Sequence, residues 1–257
     1  ASKETLMDNN VSTLADWIAD SPSTVFFGGA GVSTESGIPD FRGANGFYFQ
    51  EREIPLERVL SIDFFNRHPE AYWQWFDEVY RPVEPNGAHR ALATLEAAGR
   101  LDAIVTQNID GLHQRAGSRA VWELHGNWER LACTGCGAVQ PLGEALRSST
   151  DPVPSCPSCG SHMRPDIVMY GEALDQGVIE AAIAAIARAS LLIVAGTSLV
   201  VYPAAGLIDY FSGDHLVLVN ATPTSADAHA DVIIREPVAR TFDLVMDKLD
   251  KDGVVSS

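Results

Sequence analysis

The stretch TVFFGGAGVS, residues 24–33, decides the fold of this chain. Its first half is a short run of β-branched and aromatic residues, which is typical of a strand buried on both faces of a parallel sheet. Its second half is rich in glycine, so the backbone can turn sharply and bring its N–H groups close to a diphosphate. The stretch predicts a nucleotide site in an α/β protein, with a purely structural turn as the alternative. It is not the dehydrogenase fingerprint, because the G-x-G-x-x-G spacing that starts at Gly29 and Gly31 would require glycine at Thr34.

Runs of the same apolar character recur along the chain and alternate with helical patterns. The strand candidates are DAIVTQ (102–107), LLIVAG (191–196), LVLVN (216–220) and DVIIR (231–235), with VWELH (121–125) as a weaker one. The helical candidates are VSTLADWIAD (11–20), PEAYWQWFDEVYR (69–81), NGAHRALATLEAAG (86–99) with Asn86 as its N-cap, the alanine-rich stretch 174–189, and EPVARTFDLVMDKLD (236–250). This alternation predicts an α/β fold, a Rossmann-like parallel sheet with right-handed crossovers and helices on both faces.

Size and composition narrow the classes of protein to consider. The chain has 257 residues, 46% of them hydrophobic and 20% charged, which is ordinary for a globular enzyme with one large domain and a small insert. No apolar run reaches the roughly 18 residues of a membrane span. The polar segment ASKETLMDNN lacks the features of a signal peptide, so we expect a cytoplasmic protein with no membrane partner. The net charge of −16 disfavours nucleic-acid binding and favours lysine-rich partners, although an acidic surface also serves solubility alone.

Four cysteines lie in two pairs, Cys133-x-x-Cys136 and Cys156-x-x-Cys159. Each pair forms a tight knuckle that offers two thiolates, so the spacing predicts one tetrahedral, structural Zn²⁺ with no open position for water. Two disulfides or four free thiols are the alternatives, and nothing in the sequence points to the oxidising compartment that disulfides need. Arg147 is the only basic residue between Cys133 and Cys159, which argues against a zinc ribbon that binds nucleic acid.

Two segments interrupt the alternation and set the predicted domain organisation. Residues 127–166 hold the cysteines with several glycines and prolines, and we expect a small zinc-ribbon insert there. Residues 1–126 and 167–257 then form the Rossmann-like domain on either side of it. Residues 39–54, PDFRGANGFYFQEREI, lack periodicity and are predicted to be a loop over the cofactor site, with a plain connection as the alternative.

Four longer strings give the chain a family resemblance. They are GAGVSTESGIPDFR (29–42), TQNID (106–110), ELHG (123–126) and GTSLVVYP (196–203), and the cysteine insert lies between the last two. In content and order they closely resemble the motifs of the sirtuin family, over roughly residues 11–245. The chain is similar to single-domain sirtuins of bacterial and archaeal type. The resemblance implies an NAD-dependent protein lysine deacylase, with NAD as co-substrate and acylated lysine peptides as partners.

The resemblance also implies a reaction and a general base. The acyl-lysine carbonyl oxygen attacks the nicotinamide ribose, nicotinamide leaves, and the intermediate collapses to free lysine and O-acyl-ADP-ribose. His125 is implied as the base that activates a ribose hydroxyl, and histidine suits this task because its usual pKa of about 6.5 lies near working pH. Asn108 and Asp110 are implied to recognise the reacting ribose. Taken alone, His125 is more readily a core or capping histidine, so its role depends on the motifs around it.

The implied binding residues fall into two sets. The cofactor set comprises Gly29, Ala30, Gly31, Thr34, Ile38, Asp40, Phe41, Arg42, Gln107, Asn108, Ile109, Asp110, Gly196, Thr197, Ser198, Asn220, Ala221 and Val238. The peptide set comprises Val168, Tyr170, Val200 and Val201, on two edges that would sandwich the substrate backbone as an added strand. In the cofactor set, Phe41 is implied to cover the reacting ribose and exclude water. Capping is the alternative role for Ser198 and Asn220.

Departures from the family pattern bear on acyl preference. Sirtuins that prefer acidic acyl groups carry a Tyr-x-x-Arg pair in the helix that lines the acyl pocket. That helix reads YWQWFDEVYR here, residues 72–81, without such a pair, so we expect neutral or apolar acyl groups to be preferred. Gly28 replaces a usual threonine and Tyr170 a usual phenylalanine; the first change matters little because the backbone donors remain.

Two other functions stay open from the sequence. An ADP-ribosyltransferase or NAD hydrolase on the same scaffold would share the step in which nicotinamide leaves. A non-catalytic module that binds NAD or acyl-lysine belongs to another class, and it would not need His125, Asn108 and Asp110 together.

Overall fold

The structure is a computed structural model that describes residues 3–39, 54–144 and 151–255. Its strands are β1 Thr24–Gly28, β2 Ala103–Thr106, β3 Val121–Glu123, β4 Gly126–Cys133, β5 Val139–Pro141, β6 Met163–Ile167, β7 Leu191–Ala195, β8 His215–Val219 and β9 Val232–Ile234. Six of them form one sheet in the order β3-β2-β1-β7-β8-β9, and every pairing in it is parallel. The predicted α/β fold is therefore confirmed, and the weaker candidate strand at 121–125 is the edge strand β3.

The longer helices lie at the predicted places. They are α1 Lys3–Asp20, α2 Leu56–Val59, α3 Ile62–Arg67, α4 Pro69–Val79, α5 Gly87–Ala97, α6 Leu112–Arg115, α7 Gln176–Arg188 and α8 Val238–Lys251. The N-cap prediction for Asn86 is confirmed, because its side chain accepts a hydrogen bond from the Ala88 N–H. Helices α2, α3 and α6 were not expected, and the region of α2 and α3 reads as a polar loop in the sequence. Ser61 caps α3 by accepting from the Phe64 N–H, and the helix is too short to show a periodic pattern.

Both faces of the large sheet are covered. Side chains of β1, β7 and β8 on one face pack against α1, α5 and α8 in a single apolar core. Alternate side chains of the same strands pack on the other face against α7 and the short helical segment Ala204–Tyr210. This two-sided burial explains why these strands read as continuous apolar runs. No helix in the described ranges is long and apolar enough to cross a membrane.

A second, smaller sheet carries the cysteines. It is three-stranded and antiparallel, in the order β5-β4-β6. Its own apolar content is small, and it shares a core with the aromatic faces of α3 and α4. Trp73 in α4 also donates its indole N–H to the Met163 carbonyl in β6, at 3.3 Å. The small sheet is therefore packed against α4.

From β1 the chain adds β2 and β3 on one side of the sheet, and it adds β7, β8 and β9 on the other side. The order of the strands therefore switches between β1 and β7. In a parallel sheet this switch point opens a crevice at the carboxyl ends of the strands, where ligands bind. The glycine segment follows β1 directly, and Gly196 follows β7, so both lie at this crevice.

Candidate functional site

The glycine segment after β1 is held against the end of β7 by backbone contacts. The Gly29 N–H donates to the Ala195 carbonyl at 3.1 Å, and the Gly31 N–H donates to the Gly196 carbonyl at 2.8 Å. A Cβ atom on Gly31 would lie 2.7 Å from the Gly196 Cα, a distance that real Cβ atoms do not show. Gly196 has φ of +60°. The two loops therefore approach each other so closely that both positions require glycine.

A loop from the neighbouring strand β2 is joined to this segment. The Asn108 side chain donates to the Gly29 carbonyl at 3.0 Å and to the Ser33 hydroxyl at 3.2 Å. Ser33 in turn donates to one carboxylate oxygen of Asp110 at 2.6 Å, and the Leu112 N–H donates to the other at 3.0 Å. Asp110 is buried, and burial raises its pKa while the hydrogen bonds from Ser33 and Leu112 oppose that rise.

Two residues of this network were not singled out from the sequence, Ser33 and His89. His89 accepts the Asn86 N–H at its Nδ1, so its Nε2 carries the proton and donates to the Ser33 hydroxyl at 3.4 Å. Burial lowers the pKa of His89 to about 4, with a smaller contribution from Arg90, so the ring is neutral at physiological pH. His113 packs edge-on against His89 with its ring centroid 4.8 Å away, and burial holds its pKa well below the usual value. The neutral His89 imidazole thus helps to orient the Ser33 hydroxyl toward Asp110. The capping-box position of His89, three residues after Asn86, was the one signal in the sequence.

His125 lies where the chain passes from the large sheet to the small one. Its Nδ1 is 2.8 Å from the Gln107 carbonyl oxygen. Because a carbonyl oxygen only accepts, Nδ1 carries the ring proton and Nε2 keeps its lone pair. Burial lowers the pKa of His125, and the hydrogen bond to Gln107 offsets part of that shift. The ring is therefore neutral near pH 7 and has the tautomer that a general base needs at Nε2.

The other residues predicted to bind the cofactor lie mainly along the carboxyl ends of the parallel strands. Gln107 and Ile109 follow β2, Thr197 and Ser198 follow β7, Asn220 and Ala221 follow β8, and Ala30, Thr34 and Ile38 belong to the segment after β1. Gln107 donates its side-chain amide to the Thr197 hydroxyl at 3.3 Å, which joins the β2 and β7 loops. Val238 begins α8 and is buried, and the N–H of the next residue, Ala239, donates to Glu35 at 2.7 Å. Asp40, Phe41, Arg42 and most of the predicted loop at 39–54 lie outside the described residues.

Side chains predicted to contact the peptide lie on two edges. Val168 donates its N–H to the His125 carbonyl at 2.9 Å, so this edge is tied directly to the histidine. Tyr170 is bridged to the α2–α3 connection, through an N–H donated to the Leu60 carbonyl at 2.9 Å. On the other edge Val200 is 54% exposed and Tyr202 is 70% exposed. Apolar side chains with such exposure are free to contact a partner.

The four cysteines meet at one point between the hairpins of the small sheet. Their Sγ atoms all lie within 4.8 Å of one another, with Cys133 to Cys159 at 3.4 Å and Cys136 to Cys156 at 3.7 Å. A tetrahedron with Zn–S bonds of about 2.3 Å places its sulfurs about 3.8 Å apart, so the set fits Zn²⁺. The chain has only these four cysteines and all are free, which sets aside the disulfide alternative in this structure.

Comparison with known proteins gives the family. A model of the Sir2 family matches residues 29–203. The NAD-dependent protein deacetylase of Clostridium perfringens is 49% identical over 246 residues, which cover 94% of this chain and 100% of that protein. The NAD-dependent protein deacetylase of Clostridium acetobutylicum is 46% identical over 245 residues, with coverage of 94% and 100%. A solved structure of Sir2 with p53 peptide and NAD⁺ is 41% identical, has a TM-score of 0.81, and covers 95% of this chain and 98% of its own. The chain therefore belongs to the Sir2 family, the sirtuins that its motifs resemble.

Proposed function

We propose that this protein is an NAD-dependent protein lysine deacylase. The observation that carries the proposal is the position of His125. Its Nδ1–H donates to the carbonyl of Gln107, a residue of the cofactor crevice. Its backbone carbonyl accepts a hydrogen bond from the N–H of Val168, the first residue of the peptide edge. A neutral base thus lies between the two predicted binding regions. The relatives named NAD-dependent protein deacetylase support the same activity.

The proposed reaction uses NAD as co-substrate and gives nicotinamide, deacylated lysine and O-acyl-ADP-ribose. Asn108 and Asp110 would hold the nicotinamide ribose, since both lie at the switch point and are fixed by Ser33. His125 Nε2 would take the proton of a ribose hydroxyl after nicotinamide has left. Ser198, Asn220 and Val238 would bind the adenosine half beyond β7. Phe41 and Arg42 remain predictions from the sequence.

The zinc ion would be structural. Cys133, Cys136, Cys156 and Cys159 use all four tetrahedral positions, so none remains for water or substrate. The ion would close the two knuckles of residues 127–166, which we infer to be a separate insert. Free thiols that serve as zinc ligands suit the reducing cytoplasm, where we propose that the protein acts.

Nicotinamide release tests this function against its nearest alternative. Purified protein is mixed with NAD, with and without an acetyl-lysine peptide, and the products are identified by mass spectrometry. We expect nicotinamide and O-acetyl-ADP-ribose to form together and only with the peptide. Comparable nicotinamide release without peptide would instead indicate an NAD hydrolase or ADP-ribosyltransferase, and no release in either case would indicate a binding module.

The acyl preference follows from the helix α4. Its buried face is aromatic, formed by Tyr72, Trp73 and Phe76, and it packs with Ile167 and Met169 on either side of Val168. Arg81, just beyond its end, donates to backbone carbonyls of the same helix end rather than lying free. Helix α4 itself contains no Lys or Arg, so a succinyl carboxylate would meet no cation from it, and we expect kcat/KM for a succinyl-lysine peptide to be at least roughly tenfold below that for the matched acetyl peptide. Equal values for the two peptides would contradict this preference.

Contact between the glycine segment and Gly196 gives a prediction for the cofactor crevice. In Gly31→Ala the new methyl group meets backbone that cannot rotate away, so the two loops must separate. Overpacking of this kind costs about 1–3 kcal/mol, and we expect KM for NAD to rise roughly tenfold or more. Gly206→Ala is the matched control, because its Cβ would meet only ordinary contacts, with the nearest atom at 3.4 Å. An unchanged KM for NAD in Gly31→Ala would show that the segment does not contact the co-substrate.

A further inference from the structure

A bidentate ion pair closes the loop that bears Val168 and Tyr170. Arg164 in β6 donates one guanidinium nitrogen to each carboxylate oxygen of Glu172, both at 2.6 Å. The same guanidinium donates to the Ile167 carbonyl at 2.7 Å, and Glu172 accepts the Met169 N–H at 2.8 Å. The pair therefore joins the beginning and the end of the loop and also holds a backbone group between them.

The surroundings of the pair make it stronger than an ordinary surface ion pair. The side chains of Arg164 and Glu172 are only 13% and 28% exposed, and the guanidinium lies over the Phe65 ring at 5.9 Å. Fork-like pairing of a guanidinium with a carboxylate fixes geometry as well as charge. Burial by itself would raise the pKa of Glu172, but the hydrogen bonds from Arg164 and Met169 outweigh it and hold that pKa below its usual value. Glu172 therefore stays a carboxylate and the pair stays ionic at neutral pH.

The loop has no strand or helix of its own to fix its shape. Between Ile167 and Glu172 its other described backbone contacts are the N–H of Val168 on the His125 carbonyl, the contacts of Tyr170 with the α2–α3 connection, and a turn in which the Glu172 N–H donates to the Met169 carbonyl at 3.0 Å. Without the ion pair, the Ile167 carbonyl loses its fixed donor, Arg164, and the Met169 N–H loses its fixed acceptor, Glu172. Near His125, Val168 then keeps its own hydrogen bond to the His125 carbonyl and the pairing of Ile167 with Gly126 at the end of β6, but the rest of the edge toward Tyr170 loses its support.

We propose that Arg164 and Glu172 are positioning residues for the acyl-lysine peptide, which they affect by fixing the Val168–Tyr170 edge rather than by touching the substrate. This inference depends on the proposed deacylase function. The pair lies on the peptide side of His125, away from the ends of β7 and β8 where the adenosine half is expected. Its loss should therefore weaken peptide binding and leave NAD binding unchanged.

Glu172→Gln and Arg164→Lys test the proposal in the full-length protein. Glutamine keeps the shape of the side chain but removes its charge, and lysine keeps the charge but removes the fork. We expect KM for an acetyl-lysine peptide to rise roughly tenfold in Glu172→Gln and less in Arg164→Lys, with KM for NAD within about twofold of wild type. In the double variant the two effects should be less than additive, because each change disrupts the same pair.

Asp102→Asn is the control for a general loss of stability. Asp102 accepts the Thr24 N–H at 2.9 Å at the amino end of β1, the opposite edge of the sheet from the site. The Asp102→Asn substitution should lower the melting temperature without changing KM for the peptide. The proposal is wrong if both variants are folded and keep the wild-type KM for the peptide, or if their KM values for NAD and peptide rise together.

Binding of a fluorescent acetyl-lysine peptide separates failure of this proposal from failure of the function. If wild-type protein gives no peptide-dependent turnover of NAD, the deacylase function itself is wrong. If wild type turns over and binds the labelled peptide, and Glu172→Gln binds it equally well, only the positioning role is wrong. A weaker affinity of Glu172→Gln for the labelled peptide, at unchanged KM for NAD, supports the role.

Discussion

Replacing His125 by alanine is expected to lower the rate of deacylation by about two to four orders of magnitude, which is the usual contribution of a general base. The variant should still exchange free, labelled nicotinamide into NAD when an acetyl-lysine peptide is present. The reason is the order of the proposed steps, since nicotinamide leaves before His125 takes its proton. The Gln107 carbonyl holds the Nδ1 proton and leaves only Nε2 able to accept one.

The pH dependence of the wild-type enzyme should report the same residue. Burial lowers the pKa of His125 below 6.5, so the base form persists to lower pH than that of a free histidine. We expect kcat/KM for the peptide to stay constant through neutral pH and to fall at a lower pH than a histidine of ordinary pKa would set. The acidic limb of this profile should be absent in His125→Ala.

A matched variant separates catalysis from packing. His215 stacks on Trp17 with ring centroids 3.8 Å apart, at the amino end of β8 and so at the opposite edge of the sheet. His215→Ala should cost stability but leave deacylation intact. If His125→Ala kept wild-type deacylation, the assignment of the base would be wrong; if it also lost nicotinamide exchange, His125 would be needed before the proton transfer.

Local signals in the sequence were enough to predict the large sheet. Buried parallel strands must be apolar on both faces, so their positions show directly in runs such as residues 191–196, and Asn86 marks a helix start by its own chemistry. The helices α2 and α3 escaped prediction because they are too short to display a period. Their apolar residues are buried only because α4 and the small sheet cover them.

The sequence predicted those parts of the site that lie in motifs of consecutive residues. The resemblance of the loops after β1, β2 and β7 led to residues that the parallel sheet brings to one edge. The contacts that orient them are long-range, as between Ser33 and Asp110, which are 77 residues apart, and no local pattern pairs such residues. The pairing of Arg164 with Glu172 escaped for a different reason: Arg164 falls in the predicted insert and Glu172 in the large domain, and a charged residue reads as a solvated surface until its partner is seen.

Loss of one zinc ligand should have the other large effect, and it should act through folding. We expect Cys133→Ser to bind much less than one zinc per chain, to unfold at a clearly lower temperature, and to lose deacylation. Binding free energies of about 10–16 kcal/mol are found for structural zinc sites in small peptides, and this energy becomes folding energy when no preformed site exists without the metal. The small sheet has little apolar content of its own with which to offset that loss.

The shared core explains why the damage should reach the active site. Cys133 and Cys156 are buried with Trp73 and Ile167 in the core that joins the small sheet to α4. Ile167 directly precedes Val168, whose N–H holds the His125 carbonyl. If the two cysteine knuckles become disordered, the peptide edge therefore loses its support first. The cofactor crevice is built on β1 and β7, whose side chains pack in the two separate cores of the large sheet.

Measurements on Cys133→Ser and on its matched control should resolve these two regions. Ser158→Ala lies between the ligands Cys156 and Cys159 and keeps all four thiols, so it should keep its zinc, its melting temperature and its activity. Cys133→Ser should bind the labelled acetyl-lysine peptide poorly, yet still bind NAD at temperatures below its unfolding transition. A zinc-free protein that kept wild-type stability and peptide affinity would contradict the structural role. If a zinc-free protein kept its stability and its peptide affinity but lost turnover, the metal would take part in the reaction itself. We do not expect this result, because the four cysteines occupy every position of the tetrahedron.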